Sequence, residues 1–309
     1  MQIRRTEHVV TAPASADTVY DLIANAELWP AIFTPTVHVE IISADDEPEQ
    51  RLKIWAFAGG QVRSWVSHRT LNERERRVGF RQTEPAAPVA SMRGEWAISP
   101  IDETSSKVVF QHWFSAEGDS ADILGKIEDV VNENSLAELE SLRLAAERSH
   151  LVVGFEDTVR IDAGPDRIYE FLAEAGKWPA LIPHVGRVEL TEDAGVQTMD
   201  MDTVDSAGDS ADNDVHTTSS VRVLLPPNRI VYKQTTLPPF LTAHVGSWDV
   251  RADGTAVARH TVVLREESIL PMLGPEATVE QAAGLVRQSI GGNSRATLQR
   301  ARAVIGAGR

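Results

Sequence analysis

Two short stretches of the chain place a serine two residues before an arginine: RSWVSHR, over 63–69, and HTTSSVR, over 216–222. Successive side chains on a β-strand alternate between faces, so Arg63, Trp65, Ser67 and Arg69 share one face, as do His216, Thr218, Ser220 and Arg222. A guanidinium beside a hydroxyl suits a carbonyl or enolate oxygen, because arginine keeps its charge and presents a planar fork of donors. The same alternation also suits a strand whose polar face meets water and whose valines enter the core. Both readings stand on spacing alone.

A second polar pair lies near the end of each half, Gln111 in VVFQHWF and His260 in VARHTVV. Gln111 shares a face with Val109 and Trp113, and His260 with Ala258 and Val262, so each reads as a cavity-wall group or a rim residue. Imidazole titrates near neutrality, so His260 could serve as acid or base, with the cation of Arg222 depressing its pKa, or be structural. Asn134 and Asn293 fall on the apolar faces of helical patterns. Each either points an amide into a cavity or makes a buried structural hydrogen bond. Aromatic walls suit flat, oxygenated ligands, which singles out Trp29, Trp65, Trp96, Trp113, Trp178 and Trp248. Trp55, Trp65 and Trp113 occur only in the first half. The expectation is therefore that the first half carries the more specialised cavity, with Ser67, Arg69 and Gln111 together in it.

Other chemistries are missing. With no cysteine there is no disulfide, thiol chemistry or thiolate metal site. No Gly-rich phosphate loop, His-Glu-x-x-His pair or Gly-x-Ser-x-Gly elbow occurs, so neither a metal nor a cofactor is implied. A net charge of −15 argues against a nucleic-acid partner, which needs clustered Lys and Arg. The opening MQIRRTEHVV has no apolar run behind its arginines, and no stretch approaches the roughly 20 apolar residues that span a bilayer. A cytoplasmic protein with no membrane partner is expected.

The elements that must position these groups are read from an internal repeat. VTAPASADTVYDLIANAELWPA near the start matches VRIDAGPDRIYEFLAEAGKWPA after residue 158. Gly94-Glu95-Trp96 then matches Gly246-Ser247-Trp248, and Asn134-Ser135 matches Asn293-Ser294. An ordered series of matches implies a duplicated domain, and 309 residues hold two domains of roughly 150. The domains are expected at 1–150 and 151–309. Each half reads as a short strand, two small helices, a run of antiparallel strands and one long helix. In the first half the strands are expected at 7–12, 37–43, 49–57, 60–71, 76–83, 91–99 and 107–115, with a hairpin at Gly59-Gly60 and the helix at 120–148. In the second half, one strand is expected at 196–205. The order is α+β, and a curved sheet gripping a helix leaves a cavity between them.

On these residues the chain resembles a known family. WPAIFTPTVHVE, RLKIWAFAGGQVRSWVSHRTL and PVASMRGEW are similar to the first domain of the di-domain aromatase/cyclases of bacterial type II polyketide synthases; KWPALIPHVGRVE and NRIVYKQTTLPP are similar to the second. The resemblance implies two tandem helix-grip (Bet v 1/START-like) domains. It implies cofactor-independent aldol cyclisation and dehydration that closes or aromatises the first ring of a poly-β-ketone, joining its seventh and twelfth backbone carbons. The implied partners are the acyl carrier protein bearing that chain and the other synthase subunits. It places Ser67, Arg69, Gln111 and Trp29 at family cavity positions, and puts Thr36 and Val185 where single-domain cyclases carry a tyrosine. Ser220 and Arg222 carry over to the second domain, where His260 replaces the glutamine. A binding protein for an apolar or aromatic ligand, and a domain that only docks or stabilises the other, are the rival readings of the same fold.

Overall fold

The computed structural model describes residues 2–43, 49–204 and 215–306. The chain divides into two compact units, Met1–Ser149 and His150–Arg309. In the first, β1 (Arg4–Ala12) leads into helices α1 (Ala16–Ala24) and α2 (Trp29–Ile32). Strands β2 (Thr36–Ile41), β3 (Gln50–Ala58), β4 (Gln61–Asn72), β5 (Arg77–Glu84), β6 (Val89–Pro100) and β7 (Ser106–Ala116) follow, and helix α3 (Ala121–Glu147) closes the unit. The seven strands form one antiparallel sheet in the order β1-β7-β6-β5-β4-β3-β2.

The second unit repeats this plan. It runs β8 (Val152–Arg160), α4 (Pro165–Ala173), α5 (Trp178–Leu181), β9 (Val185–Asp193), β10 (Val196–Val204), β11 (Val215–Leu225), β12 (Arg229–Thr236), β13 (Leu241–Val250) and β14 (Thr255–Leu264). Helix α6 (Glu266–Leu273), which the sequence pattern had not suggested, precedes the long helix α7 (Val279–Ile305). The sheet order is β8-β14-β13-β12-β11-β10-β9, also antiparallel. Each unit is thus a seven-stranded sheet curled around one long helix. Asp205, the end of the strand expected over 196–205, lies outside the described residues.

Local chemistry sets the element ends. Ser15 Oγ accepts from the Thr18 N–H at 3.2 Å and so caps α1. Gly59 and Gly60 turn the β3–β4 hairpin at φ +60° and +77°, a conformation that favours glycine at both positions. Thr278 and Gln281 form a reciprocal capping box at the start of α7. The first core joins Val19 and Ile23 of α1 to Phe33, Trp96, Phe110, Leu139 and Leu142, all buried. Deleting a side chain such as that of Leu142 costs about 2–5 kcal/mol by the usual core arithmetic. The middle of α3 stands off the sheet, and the gap is a cavity.

One repeated glycine shapes both cavities. Gly94 pairs with Phe80 across β5 and β6, and Gly246 pairs with Tyr232 across β12 and β13. A Cβ at Gly94 would overlap the Phe80 ring and the Gln111 carbonyl. At Gly246 it would overlap the Tyr232 ring and the Arg259 carbonyl. The missing side chain lets each aromatic ring lie flat across the neighbouring strand, toward the cavity.

Candidate functional site

The first cavity encloses about 350 Å³ between β2–β7 and α3, within the usual range for small-molecule pockets. Its wall includes Trp29, Thr36, Trp65, Trp96 and Asn134, together with the Arg63–Trp65–Ser67–Arg69 face of β4. Of the two readings of that strand, the cavity one therefore holds. Ser67 is buried, and its Oγ donates to the Arg81 carbonyl at 3.2 Å.

Arg69 is 2% exposed, and most of its N–H groups are engaged. Nε and Nη2 donate to Gln50 Oε1 at 2.9 and 2.7 Å, Nη2 also to the Ala24 carbonyl at 2.6 Å, and Nη1 to the Ile23 carbonyl at 3.3 Å. The carbonyls at the end of α1 have no partners within the helix, so the arginine ties that end to the sheet. The guanidinium also sits 5.4 Å from the Trp29 ring centre, whose Nε1–H donates to the same Ile23 carbonyl at 3.0 Å. Burial lowers the arginine's pKa to about 10, so the cavity keeps a cation near neutrality.

Strand β7 corrects two expectations. Gln111 faces away from the cavity and donates to Glu7 at 2.8 Å on an exposed surface. Trp113 also faces outward, with the guanidinium of Arg93 4.8 Å from its ring centre and that of Arg5 5.7 Å from it. The residue between them, His112, is the buried cavity group. A shift of one residue along a strand moves every side chain to the other face. The pairing Gly94↔His112 matches Gly246↔His260, so His112, not Gln111, is the counterpart of His260. Aligning the two histidines would have shown this. Trp55 is also outside the cavity, 5.4 Å from the His38 ring, so only Trp65 remains of the three tryptophans particular to the first half.

Two groups in this cavity escaped sequence reading. Burial lowers the pKa of His112 to about 3, with His8 adding to the effect, so its imidazole is neutral. Its Nδ1 lies 3.4 Å from Ser135 Oγ on α3. Glu138, one turn further along α3, lines the same cavity. It faces the void yet lies deep in the protein, and burial alone raises its carboxyl pKa to about 8. It is a neutral acid near neutrality, poised to give up a proton.

The second cavity encloses about 260 Å³ and is lined by Trp178, Val185, Ser220, Arg222, Trp248, His260 and Asn293, among others. Arg222 repeats the role of Arg69: it donates to Gln197 Oε1 at 2.7 Å, to the Ala173 carbonyl at 3.5 Å and to the Leu172 carbonyl, and lies 5.4 Å from the Trp178 ring centre. Gln50 and Gln197 thus form a matched pair that the sequence did not disclose.

The polar centre of this cavity comes from three strands and a helix. Tyr232 Oη lies 2.8 Å from His260 Nδ1 and 3.3 Å from His244 Nε2. The two imidazole nitrogens are 3.2 Å apart, and Ser294 Oγ of α7 is 2.9 Å from His260 Nε2. Burial lowers His260 to about 4; Arg222, the expected cause, does not set the shift. Burial, then His260, lowers His244 to about 3, and burial raises Tyr232 above the usual phenol range. The corresponding first-cavity residues are Phe80, Met92, His112 and Ser135. Tyr232 and His244 were missed because no local spacing links residues on separate strands.

No helix among the described residues is long and apolar enough to cross a membrane.

Comparison with known proteins follows the same two-unit division. Residues 12–140 and 153–306 each match a family described as polyketide cyclase / dehydrase and lipid transport. The chain is 39% identical to the actinorhodin polyketide synthase bifunctional cyclase/dehydratase of Streptomyces coelicolor, over 98% of this chain and 97% of that one. It is 35% identical to the granaticin counterpart of Streptomyces violaceoruber, over 97% and 93%. Among solved structures, the di-domain ARO/CYC BexL from the BE-7585A biosynthetic pathway superposes with a TM-score of 0.88 at 41% identity, covering 99% of each chain. The di-domain ARO/CYC StfQ from the steffimycin pathway gives 0.82 at 32% identity, over 97% of this chain and 98% of that one.

Proposed function

Because the chain belongs to the polyketide cyclase/dehydrase family and is an aromatase/cyclase of aromatic polyketide biosynthesis, we propose that its two cavities divide the work: the first closes a ring by aldol condensation, and the second removes water from it. The substrate is a poly-β-ketone presented by an acyl carrier protein, and the partners are the other subunits of a type II synthase. The named activity of the Streptomyces relatives, bifunctional cyclase/dehydratase, supports the division.

The observation that carries the reading is that each apolar cavity holds acid–base groups in their neutral forms beside a buried arginine. In the first cavity the neutral imidazole of His112 takes a proton from a methylene flanked by two carbonyls. The resulting enolate attacks a ketone further along the folded chain, and a C–C bond forms. The Glu138 carboxyl protonates the alkoxide that results. The Arg69 cation favours the negative intermediates, although most of its donors face protein. Much of the rate comes from holding a flexible chain in one fold between Trp29, Trp65 and Trp96.

Reconstitution with a minimal polyketide synthase tests this reading. The full-length protein is expected to convert a mixture of spontaneously cyclised products into one aromatic product. An unchanged mixture would sink the proposal. Arg69→Ala and Arg222→Ala, made separately, should lose different products, uncyclised chains accumulating in the first and undehydrated rings in the second.

A further inference from the structure

Two buried polar atoms of residues that line the second cavity, His244 Nδ1 and Gln234 Oε1, have no hydrogen-bond partner among the described residues. A native protein rarely leaves such atoms unmet, and each unmet one costs about 1–3 kcal/mol. Gln234 Oε1 is a lone-pair atom, and so is His244 Nδ1 when that ring carries its proton on Nε2, so a donor such as a hydroxyl suits either.

One set of tautomers satisfies the hydrogen bonds around His244 and leaves its Nδ1 bare. Tyr232 has one O–H to give, and its shortest contact, at 2.8 Å, is His260 Nδ1. His260 then carries its proton on Nε2 and donates to Ser294 Oγ at 2.9 Å. The Tyr232 oxygen is left to accept from His244 Nε2–H at 3.3 Å. In that arrangement the proton of His244 is on Nε2, and the unpartnered Nδ1 is a buried atom of a residue that lines the cavity.

We propose that His244 is the catalytic base of the second cavity, that Gln234 receives the hydroxyl of a cyclic β-hydroxyketone, and that Tyr232 and His260 position His244 and share its proton. The inference rests on the division of labour proposed above and names the residues that perform its second step. His244 Nδ1 takes the proton from the carbon between the ketone and the hydroxyl-bearing carbon. The C–H electron pair becomes the new C=C bond, and the C–O bond breaks. The departing oxygen takes the same proton from Nδ1 and leaves as water. While His244 is an imidazolium, its Nε2 proton can move to the Tyr232 oxygen as the phenol proton passes to His260 Nδ1. The charge is thereby spread over two rings, and no proton is gained or lost over the cycle. A buried imidazolium is a strong acid, which favours prompt return of the proton to the leaving oxygen. The first cavity has Phe80 and Met92 at the corresponding positions and cannot form this chain.

The probe is 3-hydroxy-1-tetralone, a bicyclic β-hydroxyketone that becomes fluorescent 1-naphthol on losing one water. The full-length protein should accelerate that loss. His244→Met and Tyr232→Phe, which install the residues of the first cavity, should each lower the rate by about 100-fold or more, whereas Gln111→Ala should not. In Tyr232→Phe the acid limb of the rate–pH profile should move to lower pH, because the imidazolium loses its acceptor. If His244→Met fails to fold, Tyr232→Phe reads the same step. Wild-type rates in both variants would overturn the proposal. So would a wild-type protein that leaves the probe unchanged while still directing polyketide cyclisation, which would leave the broader reading intact. Loss of both activities would count against the broader reading instead.

Discussion

Gln50 Oε1 accepts from both Nε and Nη2 of Arg69, at 2.9 and 2.7 Å, and so fixes the plane of the guanidinium. Replacing it removes the acceptor and leaves a buried donor unmet, at a cost of about 1–3 kcal/mol. Gln50→Leu should lower the melting temperature by about 2–4 °C for each kcal/mol lost. Arg69→Ala should lower it further, because the Ile23 and Ala24 carbonyls lose their donors as well. A melting curve for Arg69→Ala that coincides with wild type would contradict the clamp, and would return the arginine to a purely chemical role.

Glu138 predicts a stability that declines in mild alkali. Its carboxyl pKa rises from 4.5 unfolded to about 8 folded, so the folded state holds the extra proton between those values. Stability from this group is full at low pH and falls as pH rises through the window. Glu138→Gln should remove that component and gain on wild type between pH 6 and pH 9 in denaturant midpoint. A constant difference across that range would show that the carboxyl is ionised or solvated in the cavity.

The histidines predict the opposite limb. His112, His244 and His260 fall from 6.5 to about 3, 3 and 4, so the folded state binds fewer protons than the unfolded chain between those values. Stability should therefore fall as pH drops below 6.5, by about 1.4 kcal/mol per pH unit for each histidine. His112→Asn should make the decline between pH 6 and pH 4 shallower by one such increment. An unchanged slope would mean that His112 is protonated in the folded protein.

The reversed face of β7 has a direct test. Gln111→Ala removes only a surface hydrogen bond to Glu7 and should leave both product distribution and melting temperature as they are. His112→Ala removes a cavity group and should raise the share of spontaneously cyclised products. If the two variants exchanged these outcomes, the strand's facing would be refuted.

Two strands show what was legible in the sequence and what was not. In β4 the two-residue period alone puts Arg63, Trp65, Ser67 and Arg69 on one face; that this face lines the cavity is given by the structure and not by the alternation. In β7 both faces are apolar, with Val108, Phe110 and Phe114 inward and Val109 and Trp113 outward, so alternation cannot orient it. Glu138 reads in sequence as one more solvated carboxylate on a charged helix; only the curl of the sheet over α3 isolates it. The Tyr232–His244–His260 cluster is assembled by strand pairing, and separations of 12 and 28 residues carry no local signal. The helix-grip order itself was readable because the duplication printed it twice.

Gly246 offers a fifth test. A Cβ there would press on both the Tyr232 ring and the Arg259 carbonyl, which cannot both yield. Gly246→Ala should destabilise the fold by about 1–3 kcal/mol and should also draw the phenol away from His260. Denaturant unfolding and turnover of 3-hydroxy-1-tetralone read the two effects separately. Full activity with normal stability would show that the ring has room to spare.

The glycine that admits a ring at Phe80 and at Tyr232 makes no distinction between the two, and they differ by a single oxygen atom. The protein consequently carries an internal reference: one copy of the frame with a phenol and two imidazoles in contact, and one with Phe80 and Met92 at the matched positions. Grafting chemistry between the copies becomes a matter of changing occupants at fixed addresses rather than remodelling a backbone. Phe80→Tyr with Met92→His would write the second copy's circuit into the first, in a pocket that already holds His112 and Ser135 to complete it.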